Sequence, residues 1–146
     1  MAHRLACEHS ELIAGIVSVA GATWSDATKC QPQSPVSVLQ VHGTRDATIK
    51  YAGGTRHGGV HPGAEATLGT WAVKNGCTGK GLEKAGADLD LVSDLPRAET
   101  QREAFGGCPA GIGVELWRLR EGSHIPKFSR AWATAALDWL MAHPKP

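Results

Sequence analysis

Residues 12–22, LIAGIVSVAGA, constrain the fold more than any other stretch of this chain. The run is almost wholly apolar and rich in β-branched side chains, which predicts a strand. Its lack of polar alternation predicts cover on both faces, as in a parallel sheet flanked by helices. It is far shorter than the roughly 20 residues of a membrane-spanning helix. A second strand is predicted at VSVLQVH, residues 36–42. At the far end, SRAWATAALDWLMAH (129–143) places Trp132, Ala135, Ala136, Trp139 and Leu140 at helical spacing, giving one apolar face. Strands alternating with helices imply an α/β layer fold.

The remaining segments fit this frame. Residues 2–9 read as helix, and the first residues show no signal-peptide pattern. TWSDATKCQPQSP (23–35) reads as loop, and so does the glycine-rich YAGGTRHGGVHPG (51–63). Pro62 lies near the start of a helix running to about Asn75, and Gly76 closes it. Residues 78–96 read mainly as loop. AETQREAF (98–105) and GVELWRLR (113–120) are predicted strands joined through GGCPAGIG. At 146 residues the chain is one domain's worth, and a net charge of +1 offers no attraction for nucleic acid or an anionic membrane. Cys7, Cys30, Cys77 and Cys108 form no CxxC pair, which argues against zinc. Two disulfides in any of three pairings, or reduced buried thiols, fit equally well.

Two points carry polar chemistry where α/β sheets place functional loops, just past strand ends. His42-Gly43-Thr44-Arg45-Asp46 follows the second strand, and Glu121-Gly122-Ser123-His124 precedes the last helix. An acid after one strand and a histidine after the final strand follow the Ser…Asp…His order of α/β-hydrolases. There the carboxylate holds the imidazole's tautomer and the imidazole acts as general base. Taken singly, Asp46 also suits a turn former and His124 a solvated loop residue. Trp24 after a strand end, and Tyr51 and Phe128 near the two candidates, are placed to line a substrate cleft. Trp117, Trp132 and Trp139 read as core. His57 and His61 are four apart, but Gly58 and Gly59 intervene and no acidic third ligand is near, so they read as solvated loop residues rather than a metal site.

Four segments together resemble the C-terminal portion of the polyhydroxybutyrate-depolymerase-like esterases, the group that includes feruloyl and acetylxylan esterases. HRLACEHSELIAGIVSVAGA is similar to the helix and strand after that family's nucleophile elbow. PVSVLQVHGTRDATIKYAGG resembles its acid segment, with an HGTxD pattern. TWAVKNGC followed by GGC resembles its paired half-cystines, and VELWRLREGSHIPKF its histidine segment. Many members carry GGGHxWP at that last point, where this chain has Gly122-Ser123-His124-Ile125-Pro126. The resemblance covers nearly the whole chain. It implies residues 1–146 as a single incomplete α/β-hydrolase domain, the C-terminal half of a mainly parallel sheet with flanking helices. It also implies hydrolysis of a small ester or a polyester, Asp46 as acid, His124 as base, a Cys77–Cys108 disulfide, no metal or organic cofactor, and an exported parent protein.

The resemblance also implies a missing part. No G-x-S-x-G elbow occurs in the sequence. Ser18 falls within a predicted strand, Ser10 and Ser25 lack flanking glycines, and Ser123 sits in the base's own turn. The family's elbow strand would precede Met1, leaving the strand at 13–20 as a sheet edge with neither lysine nor proline to block pairing. The expectation is therefore a homo-oligomer through that edge, or association with a separate N-terminal fragment. The expected function is an esterase that retains its Asp–His pair without its serine. The alternative is a non-catalytic truncated remnant that dimerises or needs the complementary fragment.

Overall fold

A computed structural model describes residues 1–145. In chain order the elements are α1 (Ala2–Glu8), β1 (Gly15–Val19), a 3-10 turn (Ala27–Lys29), β2 (Ser37–Gly43), β3 (Gly53–Arg56), β4 (Gly59–Pro62), α2 (Ala64–Lys74), β5 (Leu82–Lys84), β6 (Thr100–Phe105), β7 (Val114–Leu119) and α3 (Ala131–Met141). Five strands form one mixed sheet in the order β1-β2-β7-β6-β5, and β3 and β4 form a separate hairpin. β1, β2 and β7 run parallel, while β6 and β5 are antiparallel to their neighbours. The class is α/β.

Helices cover both faces of the sheet. One face packs Ile16, Val36, Val38, Val114 and Leu116 against Ala6 and Cys7 of α1 and Leu68 and Trp71 of α2. The other packs Leu39, Val41, Trp117 and Leu119 against Leu91, Val92 and Trp139, with Trp132 and Leu140 of α3 alongside. β2 is therefore buried along its whole length, as its apolar alternation between two covered faces requires. α2 buries Ala64, Thr67, Leu68, Trp71 and Ala72, one stripe at helical spacing. Burying Leu68 and Trp71 stabilises the fold by about 2–3 kcal/mol each. Asn75 ends α2 and ties it to Val36, the residue before β2, its Oδ1 accepting from the Val36 N–H and its Nδ2 donating to the Val36 carbonyl. Gly76 follows at φ +73°, the left-handed residue that closes the helix.

Two expectations need correction. The stretch 51–63 is not all loop, because β3 and β4 pair across His57-Gly58. Both turn residues have positive φ (48° and 78°), the two-residue geometry whose twist suits a hairpin. Residues 78–96 are mainly loop, as expected, apart from β5, a three-residue strand that pairs with β6. β1 is only half covered: Ile16 and Ser18 are buried, while Val19 is exposed. As expected of an edge, no described strand pairs on its far side. The Ala14 carbonyl and the Ala20 N–H both bond β2, so by parallel alternation the backbone groups of Gly15, Val17 and Val19 face away from it.

Candidate active site

Asp46 and His124 lie past the C-terminal ends of β2 and β7, which pair side by side in the sheet. Their two loops are sewn together by backbone bonds. Thr44 N–H donates to the Leu119 carbonyl (3.0 Å), Arg45 N–H to the Gly122 carbonyl (2.9 Å), and Glu121 N–H to Thr44 Oγ1 (2.9 Å). This contact requires glycine on the β2 side. A Cβ on Gly43 would lie 2.6 Å from the Ser123 carbonyl oxygen and nearer still to the Gly122 carbonyl. Arg45 and Glu121 form an exposed ion pair across the same seam.

The seam brings the two predicted side chains together. His124 Nδ1 lies 2.9 Å from Asp46 Oδ2. Asp46 Oδ1 accepts the N–H groups of Thr48 and Ile49, each at 2.8 Å, so the carboxylate is held from both sides. The Asp46 side chain is buried, while that of His124 remains 32% exposed. Burial pushes the Asp46 carboxyl upward. The bonds from His124, Ile49 and Thr48 and the charge of His124 outweigh it, holding the group below the usual carboxylate range. An ionised Asp46 can only accept, so His124 presents Nδ1–H to it and leaves Nε2 as the ring's basic atom. Such an imidazole can take a proton from a hydroxyl or a water.

A second histidine, not anticipated from the sequence, meets the same acid. His42 is 1% exposed, and its Nε2 lies 2.8 Å from the Ile49 carbonyl and 3.2 Å from Asp46 Oδ2. Behind it, Gln40 Nε2 donates to the Gly21 carbonyl (2.7 Å) and lies 3.2 Å from His42 Nδ1. His3 Nε2 meets Gln40 Oε1 at 3.1 Å, and Trp71 Nε1–H donates to His3 Nδ1 at 3.0 Å. The signal available in the sequence was Gln40 and His42, two polar residues on one face of an otherwise apolar strand.

The predicted substrate contacts are dispersed. Trp24 lines a cavity of about 520 Å³ at the C-terminal end of β1, with His3, Arg4, Thr23, Lys29 and Val60 among its walls; neither Asp46 nor His124 lines it. The Tyr51 ring meets His42 edge-on at 5.6 Å, and its hydroxyl donates to Glu65. Phe128 stacks on Trp132 with ring centres 4.1 Å apart, against the second core cluster. Among the described residues no serine bonds His124. Ser10 accepts from Gln33 and Ser34, Ser25 donates to the Val60 carbonyl, and Ser18 is buried in β1. The cysteines pair as Cys7–Cys30, tying α1 to the loop before β2, and Cys77–Cys108, tying the end of α2 to the β6–β7 connection. No group of three metal-ligating side chains occurs among the described residues.

No protein-family model matches the chain. Over 107 residues it is 28% identical to feruloyl esterase B of Piromyces equi, a stretch covering 68% of this chain and 17% of that protein. The likeness is esterase-like. The chain thus matches less than a fifth of that relative's length.

Proposed function

We propose that Asp46 and His124 are the acid and base of a carboxylic ester hydrolase of the α/β-hydrolase type. The 2.9 Å bond between Asp46 Oδ2 and His124 Nδ1 carries this reading, because it leaves Nε2 of a partly exposed ring as base beside the ends of two parallel strands. The likeness to a feruloyl esterase supports the same chemistry. In the reaction, His124 Nε2 removes the proton of an attacking hydroxyl, and the resulting imidazolium is stabilised by Asp46. His124 returns that proton to the leaving alcohol, and the acyl group is then released by a water activated in the same way. The substrate class is a small ester or a polyester. The hydroxyl nucleophile is assigned to a segment of a second copy of this chain that packs along the open edge of β1.

The test is hydrolysis of p-nitrophenyl acetate and butyrate by the chain beside Asp46→Ala and His124→Ala. Turnover above the buffer rate that both variants lose supports the reading. Turnover unchanged in both variants overturns it. If all three match the buffer blank, this chain alone is no esterase, and the second reading stands: a non-catalytic unit that associates through β1, whose outward backbone groups at Gly15, Val17 and Val19 favour it.

A further inference from the structure

The polar side chains behind Asp46 form a hydrogen-bond chain whose direction is fixed by groups that cannot reverse. The indole N–H of Trp71 only donates, so His3 Nδ1 is an acceptor and the proton of His3 sits on Nε2, which donates to Gln40 Oε1. The Gly21 carbonyl only accepts, which places the Gln40 amide nitrogen on that side by a second, independent constraint. That amide's other hydrogen points at His42 Nδ1, making it an acceptor. The proton of His42 is then on Nε2, where it meets two acceptors, the Ile49 carbonyl and Asp46 Oδ2. Four elements or their loops contribute: α1, α2, β2 and the turn after β1. Every member except Asp46 is neutral in this arrangement, because a second proton on either ring would set donor against donor. Burial acts in the same direction on both rings, lowering His42 and taking His3 to about 4.

We propose that His42 is a positioning residue for the Asp46–His124 pair: Gln40 locks its ring as the Nε2–H tautomer, and that N–H, shared with the Ile49 carbonyl, fixes the Asp46 carboxylate in the orientation His124 requires. The proposal rests on the reading of Asp46 and His124 as acid and base, and adds a residue that touches neither substrate nor nucleophile. With the Thr48 and Ile49 amides on Oδ1 and two imidazoles on Oδ2, the carboxylate is held at four points. The groups facing His42 are Asp46, His124 beyond it, the edge of Tyr51 and the neutral chain through Gln40. Arg118, the register partner of His42 on β7, is paired with Glu65 and Glu103, and the neutral ring of His42 offers the carboxylate its N–H dipole rather than a charge.

The test is NMR on the intact, disulfide-bonded chain. In the wild-type protein at neutral pH, ¹⁵N correlation spectra should show His42 protonated on Nε2 and bare on Nδ1. A ring protonated on Nδ1, or on both nitrogens, overturns the proposal without any variant. His42→Phe keeps the ring's bulk and removes the donor; it should raise the Asp46 carboxyl titration, followed by ¹³C, by about 0.5–1 pH unit. His42→Gln, whose amide nitrogen falls near the position of Nε2, should restore most of that shift. A purely packing role predicts the reverse order, with His42→Phe silent and His42→Gln disturbed, and would sink the idea. If His42→Phe does not fold, Gln40→Met releases the tautomer lock and is read in the same way, with an unmoved Asp46 titration counting against the proposal. None of these spectra needs turnover. A chain that hydrolyses no ester yet gives them defeats the esterase reading and leaves the role of His42 standing.

Discussion

His3 should make the fold acid-sensitive well above the carboxylate range. It is 4% exposed, and both ring nitrogens are committed, Nδ1 as acceptor from Trp71 and Nε2–H as donor to Gln40. Burial, the larger effect, and an adjacent chain-terminal amino group outweigh the Gln40 bond and lower its value from 6.5 to about 4. The unfolded chain takes this proton at its ordinary value while the folded chain refuses it. Stability is therefore fully present above about pH 6.5 and is lost as pH falls toward about 4. The whole shift corresponds to about 3 kcal/mol, of which about 2 kcal/mol is gone by about pH 5, before most carboxylates titrate. The assay is urea unfolding under non-reducing conditions at about pH 7.5 and about pH 5, for wild type and His3→Phe. His3→Phe should be less stable at the higher pH, since Trp71 Nε1–H and Gln40 Oε1 lose their partners at about 1–3 kcal/mol each. It should also lose about 2 kcal/mol less than wild type between the two pH values. Equal pH sensitivity in the two proteins would refute the reasoning, because His42, also lowered by burial, remains in both.

Other consequences can be checked with the same melts. Gly43→Ala would force a Cβ against the Gly122 and Ser123 carbonyls; a loss of about 1–3 kcal/mol is expected, with the His124–Asp46 bond disrupted in NMR spectra. Glu115 is buried on the α3 face, its carboxylate accepting from Arg102 (2.8 Å), Trp117 (2.8 Å) and Trp139 (2.7 Å). Glu115→Ala leaves those donors unpaired inside the protein and should cost about 3–5 kcal/mol in urea unfolding. Replacing Cys77 and Cys108 together by serine opens a cross-link of sequence separation 31, and the chain-entropy estimate is a loss of about 3–4 kcal/mol, read as a lower urea midpoint.

The parts of the fold written in local periodicity were legible in the sequence. The Trp132–Leu140 stripe formed α3, β2 formed where VSVLQVH placed it, and Asn75-Gly76 ended α2. Asp46 and His124 were legible as positions because each follows a strand end. Their contact depends on β2 pairing with β7, some 75 residues apart, and on Gly43 admitting Gly122. The β3–β4 hairpin escaped notice because its turn uses His57 rather than asparagine or glycine at a positive φ, and its strands are mostly small or polar. β5 has only three residues and exists through its partner. The polar chain behind Asp46 was hidden for the same reason: His3, Trp71, Gln40 and His42 come from three elements, and only packing makes them one network.

The most direct test of the central claim is the tautomer of His124. At about pH 8.5, where histidines are ordinarily neutral, ¹⁵N correlation spectra should place its proton on Nδ1 in the wild-type chain. In Asp46→Ala the proton should redistribute toward Nε2, because the acceptor that held it is gone. An Nε2–H tautomer in wild type, or the same pattern with and without Asp46, would contradict the assignment of Asp46 and His124 as an acid–base pair.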